Sequence, residues 1–177
     1  KVRADFPVLA ELINGKPLVY LDSANTSQKP NAVIDAMTHF MQHGYAPTNR
    51  SAYQLAAEAT DKFEGARAKV AAFINAPKVH EVIYTKNATE ALNLIVRSWG
   101  VANLSAGDAV VLTHMEHHAN IVPWQMLAAE RGFTIRWVPL TSDGLLDLSN
   151  LSTLLDGAKA FSFTAMSNVL GTINPIK

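Results

Sequence analysis

Short apolar runs alternate with longer helix-period segments from residue 81 onward, and this rhythm constrains the fold more than any other feature. Residues 81–85, 109–113, 133–138 and 160–164 read as strands, and 87–99, 120–131 and 148–155 read as helices. Strands joined through single helices run parallel in one sheet, because each helix carries the chain back to the starting edge. Pro123 is compatible with the second helix, since it falls in the first turn, where no backbone donor is needed. Earlier in the chain, 17–21 reads as a short strand. Pro30 then opens a helix through Ala32, Val33, Met37, Phe40 and Met41, and Gly44 ends it. The Ala-rich stretch 52–75 places Leu55, Ala59, Phe63, Ala66, Val70 and Phe73 near the 3.6-residue period, and Pro77 closes it. The expected class is α/β.

Composition narrows the function classes. The 177 residues are about one ordinary domain and can bury a true core. Charged residues make up only 17% against a usual ~25%, so surface is expected to be buried against a partner, a second subunit or further chain. Fifteen basic and fifteen acidic residues give a net charge of zero, which argues against nucleic acid as a partner. No apolar run approaches the ~18–20 residues of a membrane span, so no membrane association is expected. With no cysteine, these residues hold no disulfide, thiolate metal site or cysteine nucleophile. The first residues carry no apolar signal-peptide core, and the default expectation is a soluble, cytoplasmic protein. The last residues, Gly171 to Lys177, read as the approach to a further helix, so an N-terminal part of a longer protein is expected.

Ligands of open parallel sheets bind beyond the carboxyl ends of the strands, and three loops there carry unusual polar content. In Thr85-Lys86-Asn87-Ala88-Thr89-Glu90, Asn87 is placed to cap a helix and Glu90 follows at capping-box spacing. The loop is either a phosphate cradle at a helix N-terminus or simply a well-capped helix. In His114-Met115-Glu116-His117-His118-Ala119-Asn120, four ionisable groups crowd one loop. A metal site fits poorly, because adjacent histidines diverge and the spacing matches no standard zinc motif. A histidine acting as a flat lid or acid–base group is the other functional reading, and a polar helix-start loop the plainest one. Asn168, in Met166-Ser167-Asn168-Val169-Leu170-Gly171, is a turn residue or an orienting hydrogen-bonding group. Together the loops suit a flat, polar, phosphorylated ligand such as pyridoxal phosphate. A dinucleotide suits them less, since no Gly-x-Gly-x-x-Gly or Walker motif is present.

The chain resembles the SUF-type cysteine desulfurases and the overlapping selenocysteine lyases, which are fold-type I pyridoxal-phosphate enzymes. The resemblance covers essentially all 177 residues and rests on several blocks. These are Arg3-Ala-Asp-Phe-Pro-Val-Leu9, Tyr20-Leu-Asp-Ser-Ala24, Gln28-Lys-Pro30, Ala88-Thr-Glu90, Gly107-Asp108, Glu116-His-His-Ala-Asn-Ile-Val-Pro-Trp-Gln125 and Ser167-Asn-Val-Leu-Gly-Thr172. It implies the three-layer, mostly parallel sheet of the fold-type I large domain, incomplete in this chain. It divides the chain into an entrance segment, 1–50, and the first part of the cofactor-binding large domain, 51–177. It implies that Ala88 and Thr89 bind the cofactor phosphate, that His117 stacks on the ring and takes part in proton transfer, and that Asn168 bonds the phenolic oxygen. Ala24, Asn25 and Arg50 would lie near the substrate, and no metal is implied. The implied activity converts L-cysteine, or L-selenocysteine, to alanine and passes sulfur to an acceptor protein for iron–sulfur cluster assembly, in a homodimer.

The sequence also departs from that pattern. Asn49-Arg50-Ser51-Ala52-Tyr53 stands in place of His-Arg-Gly-x-His, Asn87-Ala88-Thr89 in place of Gly-Thr-Thr, and Ala24-Asn25 in place of Ala-Ala. The Ser-x-His-Lys motif of the Schiff-base lysine is not among these residues, nor is the catalytic cysteine. The chain alone is therefore expected to be inactive. The alternatives are a truncated paralogue serving as a dimerisation or binding module, and another fold-type I enzyme such as an aminotransferase or a kynureninase relative.

Overall fold

The computed structural model describes residues 2–49 and 51–176, which form two units, Lys1–Ile83 and Tyr84–Lys177. In the second unit a three-stranded parallel sheet has the order β4-β3-β5, with β3 at Ala109–Thr113, β4 at Thr134–Val138 and β5 at Ala160–Ser162. All five residues of β3 are buried, as a central parallel strand covered on both faces requires. Val110 and Leu112 point to one face, where they meet Val96, Leu104, Trp124, Leu127 and Phe133 in one apolar cluster. Helix α5 (Val122–Arg131) supplies Trp124 and Leu127 to that cluster, and Val96 comes from the turn that directly follows α3 (Ala88–Ile95). The next connection reverses direction across β3, so right-handed crossovers place the short α6 (Leu151–Leu155) on the opposite face. Arg136, between the core-facing Ile135 and Trp137, agrees. Its guanidinium donates to the carbonyls of Leu154 and Asp156 at the end of α6, at 2.9 and 2.6 Å. This is the expected α/β arrangement of a mostly parallel sheet between helical layers.

Local chemistry sets the element ends. Gly132 stops α5 in a left-handed conformation (φ 77°), and Pro123 sits in its first turn. Ahead of β3, Asp108 accepts from the Ser105 amide at 2.9 Å and hydroxyl at 3.1 Å, and the amide bond chiefly holds its carboxyl below the usual range. The helix expected at 87–99 is interrupted. After α3 the chain makes a wider π turn over Val96–Gly100, then a last helical turn, α4, over Val101–Asn103. In the π turn Gly100 approaches so closely that a Cβ there would lie 2.8 Å from Leu127.

In the first unit, α1 (Asn31–His43) ends at Gly44 as expected, and α2 (Gln54–Phe73) fills most of 52–75. Two expected strands are corrected. Of the first, 17–21, only Pro17 lies in a strand, in the two-residue hairpin of Lys16–Pro17 with Leu12–Ile13, and among the described residues no ladder continues beyond Leu18. Residues 81–85 form no strand. They follow a 3-10 turn at Val79–Glu81 and straddle the boundary between the two units, where no neighbouring strand offers a ladder. The Arg67 guanidinium takes the Val82 carbonyl instead. No described helix is long and apolar enough to cross a membrane.

Candidate functional site

The loops that leave β3 and β5 meet at the carboxyl end of the sheet. Between them lies a cavity of about 510 Å3 lined by His114, Glu116, His117, Ser167, Asn168 and Leu170, among others. That volume falls in the ~300–1,000 Å3 range of small-molecule sites. A neighbouring cavity of about 290 Å3 is lined by Thr89, Asn93, Met126 and, again, His117 and His118. The structure thus brings His117 together with Asn168 on one side and with Thr89 on the other.

His117 is exposed, and its position is set by its own loop. It caps the 3-10 turn His118–Asn120 by accepting from the Ala119 amide on Nδ1 at 3.1 Å. An Nδ1 that accepts assigns the neutral ring's proton to Nε2. Its neighbour His118 stands nearly perpendicular, with rings 6.1 Å apart, so the two imidazoles diverge as adjacent residues do. Among the described residues, no group of three or more metal-ligating side chains comes together.

The loop after β5 is a tight reversal. The Ser167 hydroxyl accepts from the amides of Val169 and Leu170 at 3.3 and 3.0 Å, and the Ser167 amide donates to the Thr172 carbonyl at 2.9 Å. Gly171 takes a left-handed conformation to close it (φ 71°). Buried Asn174 ties the base of the loop to the strand end, donating from Nδ2 to the Thr164 carbonyl at 2.7 Å. Asn168 is left exposed at the tip, facing the larger cavity.

At the start of α3, the Asn87 side chain caps the helix by accepting from the Glu90 amide at 2.9 Å. Glu90 reaches back to the Lys86 amide at 2.5 Å, one residue before the cap. The amides of Ala88 and Thr89 have no acceptor within the helix, and the helix dipole favours an anion beside them. Thr89 lines the smaller cavity, and Ala88 lines neither.

Ala24 and Asn25 belong to an exposed turn of the first unit, where the Asn25 amide side chain donates to the Asp22 carboxylate at 3.1 Å. Arg50 lies outside the described residues. The sequence reading gave no separate role to Glu116, Asn120, Ser167 or Asn174, which shape both strand-end loops. For Glu116, Asn120 and Ser167, presence inside the two motif blocks was the signal available; Asn174 lies just past the second block.

The aminotransferase class-V family model matches residues 19–177. Among curated proteins, a cysteine desulfurase of Serratia proteamaculans (strain 568) is 53% identical over the whole chain, and one of Enterobacter sp. (strain 638) is 52% identical over 99% of it. The chain spans 44% of the length of each. Among solved structures, an apo cysteine desulfurase from Thermococcus onnurineus NA1 superposes with a TM-score of 0.90 at 35% identity, over 99% of this chain and 42% of that one. The Escherichia coli cysteine desulfurase CsdA, as its S-sulfonic acid, gives 0.82 at 34% identity, over 99% and 43%.

Proposed function

Because this chain belongs to the aminotransferase class-V family, we propose that it is the N-terminal portion of a pyridoxal-phosphate-dependent cysteine desulfurase. One geometric observation carries the reading: the adjacent imidazoles of His117 and His118 line both cavities, beside Thr89 in one and Asn168 in the other. A flat ring with a phosphate arm and a phenolic oxygen matches that set. The α3 N-terminus suits the phosphate, the His117 ring suits the face, and the Asn168 amide suits the oxygen.

The roles follow from these groups. Thr89, through its hydroxyl, and the amides of Ala88 and Thr89 bind the phosphate. His117 packs its face on the cofactor ring and holds a proton at Nε2 for transfer. Asn168 donates from its side chain to the phenolic oxygen and fixes the ring's rotation. When bound, the cofactor supplies an electron sink that stabilises carbanionic character in the substrate. In this reading 1–50 is the entrance segment, with Ala24, Asn25 and Arg50 near the substrate, and 51–177 begins the large domain.

The whole protein would break the Cβ–Sγ bond of L-cysteine, or the corresponding bond of L-selenocysteine. Sulfur passes to an enzyme cysteine beyond these residues as a persulfide, and L-alanine is released. The persulfide sulfur then goes to an acceptor protein for iron–sulfur cluster assembly, in a cytoplasmic homodimer. Support for a covering partner comes from the low charge and from apolar side chains such as Leu21, Phe73 and Val169, all more than 80% exposed. The test is to incubate the full-length protein with L-cysteine and pyridoxal phosphate. The reading predicts equal amounts of alanine and protein-bound sulfane sulfur. Amino transfer to pyruvate without sulfur release would overturn it in favour of an aminotransferase.

A further inference from the structure

Glu116 precedes the ring-stacking histidine and touches no cofactor position in the reading above, yet its carboxylate collects three hydrogen bonds. Its Oε1 accepts from the Thr113 hydroxyl at 2.5 Å and from the Thr164 amide at 2.9 Å. Its Oε2 accepts from Asn120 Nδ2 at 2.8 Å. All three partners are donors, as an ionised carboxylate needs. Thr113 is the last residue of β3, and Thr164 lies just past β5, 48 residues from Glu116. One side chain therefore fastens the His117 loop to the root of the Asn168 loop.

The orientation of Asn120 is fixed from the other side. Its Oδ1 accepts from Trp124 Nε1 at 3.2 Å and from the Ser162 hydroxyl at 2.8 Å. Turning the amide over would set Nδ2 against both donors, so Nδ2 must face Glu116. Asn120 is buried, and a misplaced donor there has no water to turn to. The requirement on residue 116 is thus strict: acceptors only, in three directions.

We infer that Glu116 is a positioning residue, a carboxylate clamp that sets His117 and Asn168 at the separation which a flat cofactor ring between them requires. The inference rests on the reading of those two residues as cofactor contacts. A glutamine at 116 offers one oxygen and one NH2, so either orientation sets a donor against a donor. An aspartate at 120 accepts on both oxygens, keeping Trp124 and Ser162 and receiving the glutamine NH2. The charge can therefore be moved from 116 to 120 with every bond restored.

The experiment uses the full-length protein as wild type, E116Q, N120D and the E116Q/N120D double variant. Visible circular dichroism of bound pyridoxal phosphate is recorded, with kcat and KM for L-cysteine. Each single variant is expected to change the cofactor dichroism and lower kcat about tenfold, with KM moved much less. The double variant is expected to recover both. Dichroism and kcat unchanged in E116Q would overturn the inference, as would a double variant no better than the singles. A wild type with no cofactor dichroism would overturn the functional reading instead. The clamp is then decided by amide exchange at Thr164 in cofactor-free protein. Exchange faster in E116Q and slowed again in the double variant sustains it, and identical exchange in all four overturns it.

Discussion

Thr89 shows how much depends on one side chain. Its backbone amide at the α3 start can meet an anion whatever the residue, but only its hydroxyl adds a second donor from the same position. Replacing Thr89 with Ala removes that hydroxyl and leaves the Asn87 cap intact. A hydrogen bond to a charged group contributes about 1.5–3 kcal/mol, so Thr89→Ala is expected to weaken pyridoxal-phosphate binding roughly 10- to 100-fold. Equilibrium dialysis of the full-length variant checks this, and an unchanged dissociation constant would remove Thr89 from the site. Thr89, His117 and Asn168 stood out in the sequence because each stands at or beside the end of a recognisable element. Glu116, Asn120 and Asn174 were not legible as supports. They act on partners 48, 42 and 10 residues away, and no local pattern reports which distant donor a side chain will meet.

The elements with their own start and stop signals were read well. Gly44, Gly132 and the Asn87 cap end or begin helices where the sequence placed them. Strands were legible only where a neighbour completed them. The 109–113 segment sits between two partners, whereas 81–85 has the same apolar character and no ladder. The π turn at Val96–Gly100 left no mark in the periodicity, because it arises from packing rather than propensity. That packing makes a prediction. A methyl at Gly100 would collide with the side-chain end of the fully buried Leu127, which lies in the central apolar cluster. Gly100→Ala should destabilise the protein by about 1–3 kcal/mol, the cost of overpacking a core. Ala has the higher helix propensity, so a rise in melting temperature would show that the close approach is not limiting. Thermal denaturation of the full-length variant distinguishes the two.

For the whole molecule, the sheet places its chemistry at one edge. The strand order reverses across β3, and the two loops that leave β3 and β5 line one cavity there. The α/β class was legible from the alternation of periods alone, and the cofactor class from the three loops taken together. The uncovered apolar surface was legible only as an unusually low charge, since which apolar side chains stay uncovered depends on the fold. The central claim is that the Thr89, His117 and Asn168 loops hold one pyridoxal phosphate between them. The most direct measurement is a crystal structure of the full-length protein grown with that cofactor. The account predicts the phosphate on the Ala88 and Thr89 amides, the ring against the His117 imidazole, and the phenolic oxygen within hydrogen-bond distance of the Asn168 side chain. A cofactor bound away from these three loops, or with its ring clear of His117, would contradict it.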